Sequence, residues 1–437
     1  MISAVTAPEV IVANESVMTE GDMLRSMVIG SKDWVHRKVQ RYGYAVPGMV
    51  RVETTLDLTP HRRLVIKGSR NHVILPISLV MKGALLAFDI TSPTVGALSV
   101  LRAEECTKYA QKMMESVLES AQLPLKPSGT AHNPWAFIDC PPEEAEHCLA
   151  DFQQHLATPA ASLQALEIVM QLARQLALTR LLLVEFPASV LGERCLVAYS
   201  YALELESRPG MSFEESDGYQ FKIEDPGFAS SLHQEVMTPA ELEAISMFVE
   251  FTNEKGEFHQ ASSRGEPAKR IAHVYSREIP RFSQASLEFE LRPIATGLFN
   301  FTGLSLAIVG LLTAFMLIVR IGPTSEFLRP DWLETNSAGV VLAGPAILLS
   351  WLARVPEHAV VTRALTKLRM VNALLAGSLL AVAAAVSISW QPPMWNATWL
   401  LSYMLYAAAL VLGAGPLFNR AGRARGAGRT GNKERTM

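Results

Sequence analysis

The chain has 437 residues, 49% hydrophobic and 19% charged, with a formal charge of −3 and a mean hydropathy of +0.19. From Pro293 onward it carries 12 Lys/Arg against 5 Asp/Glu, a balance of +7, which leaves 27 against 37, or −10, for residues 1–292. An acidic first part followed by an apolar, basic second part excludes a simple soluble enzyme and makes the first part a poor nucleic-acid binder.

Residues 1–45 read as a loosely ordered or helical segment. Glu9, Glu15, Glu20 and Asp22 stand where a secretory signal would need a basic start and an apolar run, so no such signal is expected. Asp22 to Gln40 places Leu24, Met27, Val28, Val35 and Val39 at helical spacing, with Lys32, Arg37, Lys38 and Arg41 around Trp34. The spacing predicts a helix, either an ordinary surface helix with one buried face or a basic one lying on anionic lipid.

A mixed strand and helix region is expected over 46–130. Val50, Val52, Leu56 and Leu58 alternate with Arg51, Glu53, Thr55 and Asp57, the mark of a half-buried strand, and short apolar runs follow at Leu64–Ile66, Val73–Ile77 and Leu85–Ile90. Ala103 to Ala121 sets Cys106, Tyr109, Ala110, Met113, Met114, Val117 and Leu118 on one helical face. Pro124 to Pro134 is the clearest loop or boundary.

Residues 131–292 read as helices followed by a β-rich domain. Helical patterns cover Glu143–Leu156 and Ala161–Leu178; alternation then marks strands at Val197–Leu205, Tyr219–Ile223, Met247–Phe251 and Leu287–Leu291. Short strands separated by Gly, Pro and Asp loops point to an antiparallel, sandwich-like sheet pair. The soluble part is thus α+β, and Pro293 closes its last strand directly before the first apolar segment.

Four apolar segments lie within 293–417, at about 298–319, 337–355, 370–390 and 395–417, and predict an all-α transmembrane domain of four helices. Each approaches the ~20 residues that cross a ~30 Å hydrocarbon core. Apart from Arg354, next to the last residue of the second, none holds Asp, Glu, Lys or Arg between its ends, where one such group would cost ~3 kcal/mol at mid-bilayer. Pro345, inside the second, is tolerable where neighbouring helices satisfy the freed carbonyl.

The connectors orient these spans. Arg354, Arg363, Lys367 and Arg369 face Glu357 in one link, and the tail at 418–437 carries Arg420, Arg423, Arg425, Arg429, Lys433 and Arg435 against Glu434; basic links belong in the cytoplasm. The link with Glu326, Asp331 and Glu334 against Arg329, and the uncharged Gln391–Met394, belong outside. The expectation is a multi-pass inner-membrane protein with both termini and residues 1–292 cytoplasmic. Trp332, Trp390, Trp395 and Trp399 gather at the expected outer boundary. Cys106, Cys140, Cys148 and Cys195 form no C-x-x-C pair and suit reduced thiols.

Chemistry-bearing patterns are sparse. His147, Asp151 and His155 lie at i, i+4 and i+8 beside Cys148, but ligands over two helical turns spread ~12 Å along the axis, too far to surround one ion. Gly426-Ala-Gly428-Arg-Thr-Gly431 matches a dinucleotide-loop spacing without the strand before and helix after that such a loop requires, and reads as part of a disordered basic tail near anionic lipid. Gly303-Leu-Ser305 lies inside a span and is no nucleophile elbow. His233 and His273 lie in or beside strands and read as structural. Ala373, Gly377, Ala381 and Ala385 recur every four residues as a helix-packing seam, and Asn300, Asn372 and Tyr406 are placed for inter-helix bonds.

Leu75-Pro-Ile-Ser-Leu-Val-Met-Lys82 with Phe88-Asp-Ile, Ser231-Leu-His-Gln-Glu-Val-Met-Thr-Pro239 and Ala272-His-Val-Tyr275 resemble segments of bacterial, mostly actinobacterial, membrane proteins of uncharacterised activity. The resemblance implies a cytoplasmic mixed domain before C-terminal membrane helices and transfers no functional residue.

No catalytic residue, cofactor or metal is assigned. The expected function is a membrane protein that anchors a cytoplasmic partner- or ligand-binding domain; its partners are the lipid bilayer and a cytoplasmic protein or further copies joined through the spans, with no nucleic acid. The alternative is a membrane-associated enzyme with its site in the soluble part, around Cys140 to His155, and a transporter or channel component ranks below it.

Overall fold

The computed structural model describes residues 18–46, 49–69, 71–83, 86–125, 133–156, 163–204, 217–252, 258–263, 271–277, 279, 284–294, 297–321, 344–345, 347, 359–387 and 392–430. It has a β-rich first part built from several sheets and a helical C-terminal part.

The chain opens with α1 (Glu20–Ile29), capped by Thr19, whose hydroxyl accepts the Asp22 N–H at 3.2 Å while the Asp22 carboxylate accepts the Thr19 N–H at 3.2 Å. Gly30 ends it by donating its N–H to the Ser26 carbonyl. The chain then makes a 3-10 turn at Ser31–Asp33 and enters β1 (Val35–Val46). The helix expected over Asp22–Gln40 is therefore only half right. On β1 the inward residues are Val35, Lys38, Gln40 and Tyr42; two of these are polar, so no hydrophobic alternation announces the strand. Trp34 is buried and its indole N–H donates to the Met27 carbonyl at 2.9 Å, so its ring belongs to the core and not to a lipid surface.

The strands that follow are β2 (Met49–Leu58), β3 (Ile66–Lys67), β4 (His72–Met81), β5 (Leu86–Ser92), β6 (Gly96–Ala97) and β7 (Ser99–Val100). Helices α2 (Ala103–Ser120), α3 (Ala136–Asp139), α4 (Ala145–His155) and α5 (Leu163–Leu178) come next. Then follow β8 (Thr179–Pro187), β9 (Cys195–Glu204), β10 (Asp217–Ile223), β11 (Ser231–Met237), β12 (Leu242–Thr252), β13 (Phe258–Ser263), β14 (Ile271–Arg277) and β15 (Gln284–Pro293). The expected helix over Ala103–Ala121 and the alternating strands are found at their places. β8 has no counterpart in the sequence reading, because Leu181 to Val184 are consecutive apolar residues buried on both faces and show no period.

Three sheets result, in the orders β14-β11-β1-β2-β9-β5-β6, β10-β15-β12-β13 and β3-β4-β8-β7. β2 and β9 run antiparallel in unbroken register from Met49 opposite Glu204 to Leu58 opposite Cys195. β1 and β11 pair in parallel, Lys38 beside Leu232 and Tyr42 beside Val236, so the large sheet is mixed, whereas the strands expected at Tyr219–Ile223, Met247–Phe251 and Leu287–Leu291 do lie together in the antiparallel sheet β10-β15-β12-β13. It also joins strands from 35–58 with strands from 195–237, across the boundary expected at Pro124–Pro134. α1 packs against α2 so closely that a Cβ on Gly21 would collide with the Lys112 carbonyl, and Ser116 donates to Asp22 at 2.6 Å across the same contact.

The C-terminal part has α6 (Leu298–Ile321), α7 (Ala359–Ser387) and α8 (Pro392–Thr430). Among the described residues, three helices are long and apolar enough to cross a membrane, over Leu298–Phe315, Val360–Ala385 and Asn396–Gly413. The span expected over 337–355 lies outside the described residues except for Gly344, Pro345 and Ile347, which are helical. α7 begins eleven residues before the span expected there, so Arg363, Lys367 and Arg369 sit on helix and not in a loop. α8 runs on through Arg420–Thr430, so the backbone there is helical where a disordered tail was expected.

α7 is the inner helix. Its span is mostly buried, whereas α6 exposes Leu304, Ile308, Leu311, Phe315 and Ile318 and α8 exposes Leu400, Leu401, Met404 and Val411, the outward apolar surface that lipid tails would cover. Small residues let the backbones approach, Gly377 meeting Leu405, with Ala381 and Ala385 buried and Ala373 exposed. Polar groups tie the helices in pairs: Asn372 donates to Thr302 at 2.7 Å, the Ser378 and Ser402 hydroxyls meet at 3.0 Å, and Tyr406 reaches the Leu306 carbonyl at 3.4 Å. Asn300 is exposed, and Trp399 is buried beside Tyr403 with ring centroids 6.0 Å apart. Replacing Asn372 with valine removes the α6–α7 bond and is expected to cost ~0.6–2 kcal/mol in detergent unfolding of the full-length protein.

The two parts share one core. Val360, Val361, Leu365 and Leu368 of α7 are buried in the same cluster as Leu287, Phe289 and Leu291 of β15, with Leu298 and Phe299 of α6 packed against it. Higher on the bundle a second, smaller cluster gathers Val309, Val371, Leu375, Ala376, Leu379 and Ala409.

Candidate functional site

The inward polar face of β1 is the start of an unusual interior. Lys38 is fully buried, and its ammonium donates to the backbone carbonyl of Glu224 at 2.5 Å and to that of Asp225 at 3.5 Å. Gln40 accepts from the Gln234 amide at 2.9 Å, joining β1 to β11 side by side. Tyr42 stacks on Phe221 of β10 at 5.3 Å, and Phe221 on Phe289 at 5.7 Å, so an aromatic ladder links the large sheet to the smaller one.

β10 ends where this polar interior begins. Its inward residues Tyr219, Phe221 and Ile223 are followed by Glu224 and Asp225, both buried, and then by Pro226. Asp225 takes a left-handed backbone, φ 36° and ψ 64°, a conformation that a residue other than glycine holds only where its surroundings impose it. The Glu224 carboxylate accepts the Met81 N–H at 2.8 Å, which ties β10 to the end of β4. Nearby Tyr199 donates its hydroxyl to Ser78 at 3.1 Å.

Burial sets the protonation preferences. Desolvation pushes Glu224 above the ordinary Glu value, against the opposing pull of the Met81 N–H, Lys38 and the Tyr201 hydroxyl. Desolvation likewise pushes Lys38 down, opposed by Asp225 and Glu224. Burial raises Tyr42 and Tyr199 far above the usual phenol range, so both stay neutral.

The Glu224 shift has a pH consequence. A carboxyl whose folded pKa lies above its unfolded value contributes its stability fully below the unfolded value and loses it as pH rises through the folded one. Glu224→Gln, which keeps an oxygen for Met81, is therefore expected to gain in Tm relative to the parent as pH rises from the usual Glu value toward neutrality. Thermal melts of the two full-length proteins across that range check this; a difference that is flat or shrinks with pH would contradict it.

A cleft opens beside this interior. Its larger lobe, about 650 Å³, is lined by five consecutive residues of β10, Gly218 to Lys222, by Tyr201 and Leu203 of β9 and by Arg363 of α7. A smaller lobe of about 260 Å³ lies against α5, whose Gln171, Arg174 and Gln175 line it. The lobes share Met81, Lys222, Glu224, Thr252 and Gln284. β10 is the end strand of its sheet, paired only to β15 among the described residues, and the register partners Lys222, Ser286 and Glu250 of β10, β15 and β12 all line the cleft. The cleft thus touches the large sheet, the smaller sheet, α5 and the foot of α7.

The candidates read from sequence are placed elsewhere. His147 and Asp151 approach to 3.8 Å on the exposed side of α4, and the His155 ring meets the Asp151 backbone carbonyl at 2.7 Å, so the three do not converge. Among the described residues, no group of three or more His, Cys, Asp or Glu is arranged to hold a metal ion. The four cysteines are free. Burial raises Cys140 and Cys195 to about 11 each, which makes both poor nucleophiles at neutral pH. Lys82 donates to the carbonyls of Phe137 and Cys140 at 2.9 and 3.1 Å and so anchors α3 to the end of β4. His233 and His273 face each other across β11 and β14, ring nitrogens 3.2 Å apart on an exposed face. Gly426 to Thr430 lie within α8.

Sequence reasoning missed Lys38, Glu224, Lys222 and Arg363 as members of one site. Two signals were present: a lysine and a glutamine in the inward phase of β1, and an acidic pair placed before proline at a strand end. Neither reveals the other, since 186 residues separate Lys38 from Glu224.

In comparisons with known proteins, no family model and no curated protein matches this chain.

Proposed function

We propose that the chain is a multi-pass inner-membrane protein whose cytoplasmic part binds a ligand in the cleft beside β10 and passes the bound state to the membrane helices. The observation that carries this reading is the shared core: the first turns of α7 are buried against β15 while Arg363, on those same turns, lines the cleft. A ligand that engages the cleft wall therefore touches the element that enters the membrane. Few enzymatic groups stand in the cleft; of its two deeply buried acids, Glu224 is already held by the Met81 N–H and Asp225 lies beside the buried Lys38.

Four spans, with residues 337–355 as the second, put residues 1–292 and the C-terminus on the same side, and the basic residues Arg354, Arg363, Lys367 and Arg369 assign that side to the cytoplasm. Reporter fusions after Arg354 and after Met437 are expected to report cytoplasm and one near Trp332 the exterior. An exterior signal at the C-terminus would overturn the orientation.

A further inference from the structure

We propose that Cys140 and Cys148 are a redox pair that closes into a disulfide joining the end of α3 to the first turns of α4. The inference goes beyond ligand binding and does not depend on the orientation of the spans.

The chain brings these two thiols together by folding back on itself. Cys140 ends α3, a 3-10 turn follows at Pro142–Glu144, and α4 starts at Ala145. Ala145, Cys148 and Phe152 recur at i, i+3 and i+7, which is one face of a helix, and Ala145 and Phe152 are buried. That face meets α3: the rings of Phe137 and Phe152 have centroids 4.6 Å apart, and Cys148 packs against the cluster that holds Cys140. The two thiols are in hydrogen-bond contact, and the charge of Lys82 acts on both. Both are free, so they stand one bond short of a disulfide, whose S–S distance is about 2.05 Å. Cys106 and Cys195 belong to other elements, α2 and β9.

Exposure divides the roles. Cys148 is half-buried and Cys140 buried, so an oxidant reaches Cys148 first. With a hydroperoxide, the Cys148 sulfur attacks one peroxide oxygen, the O–O bond breaks, and the thiol proton leaves with the departing oxygen as water or an alcohol. The Cys140 sulfur then attacks the sulfenic acid on Cys148; the S–O bond breaks and water leaves with the Cys140 proton. Burial makes Cys140 a poor nucleophile, and contact with its target offsets this. The new bond is felt at the cleft. Lys82 donates to the carbonyls of Phe137 and Cys140, and its neighbour Met81 lines both lobes and donates its N–H to Glu224.

The test treats the full-length protein in nanodiscs with hydrogen peroxide, blocks the remaining thiols with N-ethylmaleimide and maps disulfides by mass spectrometry of its peptides. The bond between Cys140 and Cys148 is expected to form about tenfold faster than any other disulfide of the chain and to reopen with dithiothreitol. Cys140→Ser is expected to leave Cys148 as a sulfenic acid that dimedone traps, while Cys106→Ser with Cys195→Ser leaves the bond unchanged. Amide exchange over 79–82 is expected to change on oxidation of the parent and not of Cys148→Ser, whose half-buried position keeps the comparison sound where Cys140→Ser loosens its site. Cys140 and Cys148 staying reduced, or pairing as fast with Cys106, Cys195 or a second copy, overturns the proposal. A bond between the two with unchanged exchange over 79–82 overturns its link to the cleft.

Discussion

Replacing Lys38 with methionine is expected to lower the stability of the β-rich part by ~3–5 kcal/mol, the usual cost of removing one partner from a buried charged set. Methionine matches the length and apolar character of the stem, so the loss isolates the ammonium. That group donates to the carbonyls of Glu224 and Asp225, and its charge is the counterweight to their carboxyls. Without it, the left-handed turn at Asp225 loses its anchor and Glu224 is driven further toward its neutral form. Denaturant or thermal unfolding of the full-length protein measures the effect. Adding Glu224→Gln should return part of the loss, because one fewer buried carboxyl then lacks its cation; two losses that simply add would show that Lys38 acts through packing alone.

The second large effect is expected at the joint. Leu365→Ala with Leu368→Ala removes two side chains that are about 5% and 3% exposed, and large-to-small changes at such positions cost ~2–5 kcal/mol each when the void cannot collapse. Both residues lie in the cluster that includes β15, below the Asn372–Thr302 bond that holds α6 to α7. The loss should therefore fall on the contact between the soluble part and the helices. Amide exchange in full-length protein is expected to speed up over β15 and the first turns of α7, with the upper bundle unchanged. Uniform loosening of all three helices would place the joint elsewhere.

Much of the secondary structure was readable because its hydrophobic period is unmixed. α2 places Cys106, Ala110, Met113, Met114 and Val117 on one buried face, and β2 alternates Val50, Val52, Leu56 and Leu58 inward; each pattern admits one local structure. β1 was misread because Lys38 and Gln40 occupy inward positions, and the pairing across to β11 that satisfies Gln40 is made 194 residues away. β8 was passed over for the opposite reason, its centre from Leu181 to Val184 being apolar on both faces. The cleft was illegible because its walls come from β9, β10, β15, α5 and α7, and the local pattern at Lys222 or Arg363 is that of any surface cation. Arg363 was counted as a loop charge for orientation, when it stands on a helix that is part of the soluble core's boundary.

Hydropathy and charge are summed along the chain, so they were enough to divide it into an acidic −10 region and an apolar +7 region and to single out helices able to cross a bilayer. Burial and pairing are not summed along the chain. That a lysine is the inward residue of β1, that strands from both ends of the soluble part share one sheet, and that the foot of α7 closes the cleft beside β10 depend on groups brought together from distant positions. Those contacts exist only once desolvation and hydrogen bonding act across the folded molecule, and it is they that create the site.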